Sequence, residues 1–357
     1  MFDKTIPMRA LHVLMLLLIN CQLAAQNLDE YYLSIQKRHA EAFDYNPEYR
    51  VNYIENIAIK TLYYSDIAVY QFRSLDTGTN IELNPVAESL IGFSMDYKWF
   101  GLTLSFAPDF LLSSEDQNLV KNSRSLKIDL TGFYSDQWGQ SLTILFNKGF
   151  NVDFSTDLSP EEIKALQNTE FQYYGGSTFF IVNQNFSYRA NFNQTERQLK
   201  SAGSFLPRLT YAYSVTKPDL TAVNTDLLAK KIRSFDLIAD LGYYYNFVLH
   251  KKWYLTLGAQ PGVGFNYTNY EVVDSPSEAF ASINFAFNGE AGLGYNSYRW
   301  FFGLTGNWRN YNNTNNENDQ INRDSAYFLL HLGYRFNDNK PMRKAFGWVE
   351  QTLGLDY

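Results

Sequence analysis

Across residues 62–336 apolar and polar side chains alternate with a period of two, the mark of β-strands that turn one face to an apolar medium and one to a polar medium. Ser125 to Tyr134 sets Leu126, Ile128, Leu130 and Gly132 against Lys127, Asp129, Thr131 and Phe133. Asn185 to Asn193 sets Phe186, Tyr188, Ala190 and Phe192 against Ser187, Arg189, Asn191 and Asn193. Phe235, Leu237, Ala239, Leu241, Tyr243 and Tyr245 oppose Asp236, Asp240 and Asn246, and Trp253, Leu255, Leu257 and Ala259 continue the theme. Ile283, Phe285, Phe287, Ala291 and Leu293 then face away from Asn284, Asn288, Glu290 and Asn296. A water-soluble β-sandwich alternates too, so the connections between strands must decide the class.

Strands are predicted at 62–73, 88–98, 101–110, 124–135, 140–149, 184–194, 200–214, 233–249, 253–269, 280–296, 300–311 and 325–336. The joints between them alternate in length. Long segments (74–87, 111–123, 150–183, 215–232, 270–279, 312–324) are interleaved with short ones at Trp99-Phe100-Gly101, 136–139, 195–199, 250–252 and 297–299. Long loops at one end and tight turns at the other are the habit of outer-membrane barrels. The fold class expected is therefore all-β: a closed antiparallel transmembrane β-barrel of twelve strands, with short periplasmic turns and long extracellular loops.

Composition agrees. With 27 Tyr, 28 Phe, 19% charged residues and a mean hydropathy of −0.31, the chain is neither disordered nor a bundle of apolar helices. A formal net charge of −7 leaves no general basic surface for nucleic acid. The one apolar run, Ala10 to Ile19, follows Lys4 and Arg9 and precedes Ala24 and Ala25, which reads as a signal peptide over 1–25. Cleavage there removes Cys21, the only cysteine, and suits an exported chain. Lipidation of Cys21 is the rival reading, and the bulky Asn20 before it argues against that. The expected organisation is then a periplasmic N-terminal segment at 26–61, a barrel at 62–336 and a periplasmic C-terminal extension at 337–357. The extension carries Met342, Phe346, Val349 and Leu353 at helical spacing.

Aromatic residues gather at the short turns. Trp99, Phe100, Trp138, Trp253, Trp300 and Phe301 are expected to form a girdle at the membrane interface, where amphipathic rings sit at headgroup level. The last strand ends Leu332-Gly333-Tyr334-Arg335-Phe336, an aromatic-terminated alternation that the barrel-insertion machinery would read, although 21 residues follow it.

The runs Phe186-Ser187-Tyr188-Arg189-Ala190, Gln198-Leu199-Lys200-Ser201-Ala202-Gly203-Ser204-Phe205-Leu206 and Tyr97-Lys98-Trp99-Phe100-Gly101-Leu102 resemble domain-of-unknown-function family 4421 (DUF4421) of Bacteroidota, over most of residues 50–336. Members of that family carry signal peptides and are regarded as outer-membrane barrels without an assigned activity. The resemblance implies a location and a fold, and no chemistry.

Enzyme chemistry finds little footing. His39, His250 and His331 are the histidines beyond the signal segment, and an outer-membrane lipid hydrolase would need a Ser–His pair on the outer wall that neither His250 nor His331 readily supplies. No catalytic residue, metal site or cofactor is predicted. More informative is the polar face as a set. Lys127, Asp129, Arg189, Asp236, Asp240, Glu290, Arg309, His331 and Arg335 would point into a barrel lumen, where mixed charge either cross-links a closed interior or lines a water-filled channel.

Segment 150–183, with a helix start at Ser159-Pro160-Glu161-Glu162, a Gly175-Gly176 pair and the aromatics Tyr173, Tyr174, Phe179 and Phe180, is expected to fold over the barrel mouth and restrict passage. Two functions stay open: a channel or transporter for a small polar solute, or a structural barrel whose outer loops bind a surface partner or glycan. Outer-membrane lipid and the insertion machinery are the partners expected in either case.

Overall fold

The structure, a computed structural model, describes residues 45–74, 79–115, 117–154, 158–219, 231–271, 277–313 and 319–355. The predicted signal peptide lies outside the described residues. In chain order the strands are β1 (Arg50–Asn52), β2 (Asn56–Ser74), β3 (Thr79–Pro85), β4 (Ser89–Tyr97), β5 (Phe100–Phe106), β6 (Arg124–Phe133), β7 (Trp138–Lys148), β8 (Phe150–Phe154), β9 (Glu170–Phe180), β10 (Glu196–Gln198), β11 (Ala202–Lys217), β12 (Lys231–Leu249), β13 (Trp253–Glu271), β14 (Glu278–Asn296), β15 (Trp300–Asn313) and β16 (Asp319–Asn337). The helices are α1 (Gln117–Asn122), α2 (Pro160–Gln167), α3 (Arg189–Phe192) and α4 (Lys340–Leu353).

Twelve of these strands, β2, β4 to β7, β9 and β11 to β16, form a closed antiparallel barrel. Closure is made by β16 against β2 in continuous register from Asp319↔Ser74 to Asn337↔Asn56, so the wall has no free edge. β3 continues the pairing of β2 beyond β4, and β8 adds to β3, which extends the sheet past the long-loop end.

Alternation follows from the pleat. On β12, Leu237, Leu241, Tyr243 and Phe247 are exposed on the outside while Ile238, Tyr244 and Asn246 are buried inside. On β13, Leu255, Leu257 and Val263 face out and Thr256, Gln260 and Asn266 face in. The outer surface is thus apolar and the interior polar, the reverse of a soluble protein and the arrangement of an outer-membrane-type barrel.

One predicted strand is wrong. Residues 184–194 are not in the wall, and the sixth barrel strand is β9 at 170–180, inside the segment read as a long loop. Tyr173 and Phe179 therefore point inward and Tyr174 and Phe180 outward from a wall strand, and Gly175-Gly176 is not a hinge. A Cβ at Gly175 would collide with the Tyr173 ring, so the glycine makes room for that inward aromatic. The false strand arose because residues enclosed on every side bury polar and apolar side chains alike. Phe186, Ser187, Ala190 and Asn191 are all buried, although their alternation in the sequence looks two-faced. The first wall strand also begins earlier than expected, at Asn56.

Candidate functional site

The functional interest lies in what fills the barrel. Residues 181–201 join β9 to β11 at the short-turn end and fold inward rather than making a tight turn. The N-terminal stretch 45–55 enters at the same end. The two meet as a small antiparallel ribbon, β1 on β10, with Arg50↔Gln198 and Asn52↔Glu196 in register. Every residue of the ribbon is at most 6% exposed. Together with α3 these segments form a plug.

Polar groups of the wall bind the plug from several sides. Lys60 of β2 pairs with Asp96 of β4 at 3.0 Å and donates to Gln194 Oε1 at 2.9 Å and to the Phe192 carbonyl at 3.3 Å. Asp96 in turn accepts from Asn193 at 3.0 Å. Asn246 of β12 donates to the Ser187 carbonyl at 3.2 Å, and Asn296 of β14 donates to the carbonyls of Ala190 and Glu196, both at 3.0 Å. Arg335 of β16 donates to the carbonyls of Gln194 and Ser297 and to Asn296.

Inside the plug, Arg50 bridges Glu196 at 3.2 Å and Asp136 of the β6–β7 turn at 2.6 Å, and Ser187 donates to Glu196 at 2.6 Å. The two terminal nitrogens of Arg50 are thus ion-paired, while its buried Nε has no partner among the described residues. An apolar layer backs them: Phe186 and Ile181 of the plug pack with Phe133, Phe179, Leu206 and Tyr244 of the wall.

Above the plug the lumen is polar. Tyr244 donates to Gln260 at 2.8 Å and to Glu290 at 3.0 Å, and Gln260 donates to Asp240 at 3.0 Å. A cavity opens beside this chain between Arg208, Thr210, Asp240, Gln260, Asn288 and Arg309. At the long-loop end, α2 is held by a reciprocal cap between Ser159 and Glu162. Its Leu166 packs with Ile81 and Leu83 of β3, Phe150 of β8 and Phe171 of β9, and against Leu145 and Tyr173. Leu145, Phe171 and Tyr173 lie on the inward faces of β7 and β9, so the outer elements lean over one side of the mouth.

The sequence profile of the family described as a domain of unknown function (DUF4421) matches residues 44–336. The chain belongs to that family. No curated protein matches this DUF4421 chain. Among solved structures, it is similar to the outer membrane protease OmpT of Escherichia coli at 6% identity and TM-score 0.36, over 81% of this chain and 98% of that one. It is also similar to the toluene transporter TodX of Pseudomonas putida, at 8% identity and TM-score 0.30, over 80% of this chain and 91% of that one. The translocator domain of the autotransporter NalP from Neisseria meningitidis gives 9% identity and TM-score 0.31, over 88% of this chain and 98% of that one.

In the DUF4421 barrel the nine predicted polar residues divide into groups. Asp240, Glu290 and Arg309 belong to the chamber just described. Lys127 and Asp129 of β6 lie 3.7 Å apart, with Lys127 also 4.1 Å above the Tyr64 ring, which stacks on Tyr327. Asp236 accepts from Asn266 at 2.6 Å, four residues before Asp240 on the same inward face of β12. His331 is 6% exposed and lies near Phe301. Arg335 clamps the plug. Arg189 is the correction: it sits in α3 of the plug, 3.7 Å from Glu196 and 4.1 Å over the Phe133 ring, and is not a wall residue.

The aromatic set divides too. Trp138, Trp253 and Trp300 are exposed on the outside. Phe301 is fully buried and points inward, 4.5 Å beneath the Arg335 guanidinium, so it does not belong to an outer girdle. Period two requires this, since its neighbours Trp300 and Phe302 both face out. Trp99 and Phe100 are half-covered by α4, with Trp99 Nε1 donating to Glu350 at 3.2 Å.

Sequence reasoning missed Arg50, Lys60, Asp96, Glu196 and Arg208. The last three had a signal: Arg208 shares a strand face with Leu206 and Thr210, Asp96 shares one with Ser94, and Glu196-Arg197 put two charges into what was read as a tight turn.

Proposed function

We propose that this DUF4421 protein sits in the outer membrane as a closed conduit for small polar solutes, its plug at the periplasmic end acting as the gate. The observation that carries the reading is the pairing of a polar chamber with a plug made of two separate chain segments. A barrel meant only as a scaffold could fill its interior with apolar side chains, as small barrels do. Here the chamber lies between the plug and the outer elements, and the plug is held by discrete polar contacts that can be broken and remade. The expected occlusion by segment 150–183 is replaced by this one: its second half is wall, and its first half, β8 and α2, only overhangs the outer mouth.

The membrane assignment rests on the band of outward Leu, Phe, Tyr and Val side chains and on the exposed Trp138, Trp253 and Trp300 near the short turns. Leu332, Tyr334 and Phe336 of the last strand alternate outward, which suits handling by the insertion machinery. Short turns, plug and α4 then face the periplasm. An outer-wall lipid hydrolase gains nothing here, because His331 points into the barrel.

Planar-bilayer recording tests the conduit. The wild-type protein should stay closed for most of the time, with rare steps, and Lys60→Met, which removes the cation under Gln194 and Asp96, should open it into discrete conductance steps. Silence from both proteins, with the barrel inserted and heat-resistant on a gel, would support the second reading, in which the outer elements recognise a surface partner or glycan.

A further inference from the structure

Phe346 places α4 against the outside of the wall. Its ring lies 4.8 Å from Tyr97, 5.7 Å from Trp99 and 6.4 Å from Phe100, at the turn that joins β4 to β5. Tyr97 shares the outward face of β4 with the exposed Phe93, and Phe100 shares that of β5 with the exposed Leu104 and Phe106. The helix therefore prolongs the outer apolar surface of the barrel at its short-turn rim, beside the wall and not under the lumen.

The wall uses only part of the apolar side of α4. At about 3.6 residues per turn, Trp348 falls opposite Phe346, with Ala345 and Thr352 on one flank between them and Arg343, Lys340 and Lys344 on the other. Trp348 is 68% exposed. Leu353, two turns on from Phe346 and almost on its side, is 61% exposed, so the wall no longer covers the helix there. Ala345 is exposed as well, and the Thr352 hydroxyl donates to the Trp348 carbonyl at 2.8 Å and so needs no water.

Charge is sorted along with polarity. Glu350 pairs with Lys98 at 2.8 Å, and Asp338, just before the helix, accepts from the Tyr97 hydroxyl at 2.7 Å and pairs with Arg343 at 3.0 Å. Both acids are thus taken up within the protein, while Lys340 and Lys344 are exposed. In a chain of formal net charge −7, the open side of this helix is cationic. Trp at headgroup level, with lysine stems reaching from an apolar flank to phosphate, is the pattern of a helix that lies in a membrane interface.

We propose that α4 binds anionic phospholipid, lying in the headgroup layer of the leaflet at the short-turn end, with Ala345, Trp348 and Leu353 towards the acyl chains and Lys340 and Lys344 on lipid phosphates. The inference rests on the membrane reading of the barrel and is independent of the conduit. Continuity favours lipid over a protein on this flank, since Phe93 and Leu104 of the strands beside α4 face lipid in the same reading.

The test is fluorescence of the full chain refolded into phosphatidylcholine vesicles with and without phosphatidylglycerol. Cys21→Ser removes the native thiol, and Ala345→Cys, Gln351→Cys or Leu257→Cys then carries a single environment-sensitive dye. At 345, nitroxide-bearing lipid should quench the dye several-fold more than aqueous iodide does, and more so with phosphatidylglycerol present. At 351, on the cationic flank, the order should reverse. Lys340→Gln together with Lys344→Gln should remove the gain from phosphatidylglycerol, and heat-resistant migration checks that each barrel is intact. Equal iodide quenching at 345 and 351, a gain from phosphatidylglycerol that survives loss of both lysines, or protection of 345 from both quenchers, as a second copy or another protein would give, overturns the proposal. The dye at 257 separates the two readings: lipid quenching at 257 without it at 345 keeps the barrel in the membrane and loses the helix contact, whereas failure at both sites removes the membrane reading itself.

Discussion

Arg335, on the last strand of the barrel, donates from Nε to the backbone carbonyl of Gln194 in the plug at 2.8 Å, while its guanidinium lies 4.0 Å from the Tyr53 ring. One side chain therefore ties the closing strand, the inserted connection and the N-terminal stretch together, and it is fully buried in doing so.

Replacing Arg335 by Leu should remove these contacts, leaving the Gln194 carbonyl without its Arg335 donors and the Ser297 carbonyl with only the long bond from the Tyr53 hydroxyl at 3.4 Å. Each charged hydrogen bond lost is worth about 1.5–3 kcal/mol. The wall should still close, since its pairings are untouched, and the plug should loosen. Raised conductance together with faster proteolysis at residues 181–201, in a barrel that still migrates as folded, is the expected result. Unchanged proteolysis would show that Arg335 is dispensable to the seal.

Leu257 and Thr256 are adjacent on β13 and fail differently. Leu257 is 45% exposed on the outer face, and Leu257→Arg should cost about 2–4 kcal/mol if it meets mid-bilayer lipid. Alternation alone makes Thr256→Arg the milder change. The structure reverses that, because Thr256 is 1% exposed and donates to Asn246 beneath the plug. Refolding into vesicles of different chain length distinguishes them: the L257R penalty should vary with bilayer thickness and the T256R penalty should not.

Tyr45 reports on plug docking through pH. Burial, with Glu196 adding to it, pushes its hydroxyl up from 10 to about 12. The unfolded chain then loses this proton first, so the stability Tyr45 contributes is whole below pH 10 and is lost as pH rises through about 12. Tyr45→Phe should narrow the loss over that window by roughly 2 kcal/mol. Identical pH profiles for the two proteins would mean that Tyr45 is not enclosed.

Phe346 of α4 meets Tyr97 edge-on at 4.8 Å and covers that ring on the outer face of β4, where its own strand would leave it exposed. Tyr97 also donates to Asp338 at 2.7 Å, and Lys98 donates to Glu350 at 2.8 Å. Phe346→Ala should undock α4 without opening the barrel, at somewhat less than the about 3–5 kcal/mol of a fully buried Phe→Ala change. Rapid cleavage within 340–353 alongside intact heat-resistant migration would bear this out, and a helix that stays protected would count against it.

Strands such as β12, β13 and β14 were legible in the sequence because a wall between lipid and a polar lumen sorts side chains by a strict period of two, and their faces read correctly residue by residue. The capped start of α2 was legible for a local reason, since Ser159 and Glu162 satisfy each other within one turn. The plug was not. Residues 184–194 alternate like a strand, and only enclosure by the barrel makes both of their faces interior. Phe301 shows the converse error: its place beside Trp300 at a short turn invited a grouping by composition, while the pleat sends it inward to Arg335.

Sequence by itself determined the closed antiparallel wall, its apolar outside and its charged inside, because those depend on the alternation within each strand and on the lengths of the joints. Tertiary structure alone decided where the lumen is sealed and which charges meet. Arg50 and Glu196, Lys60 and Gln194, and Arg335 and Gln194 are each separated by more than a hundred residues. Nothing in the local chain carries a bond of that kind, and closure of the wall around two inserted segments brings the partners to within hydrogen-bonding reach.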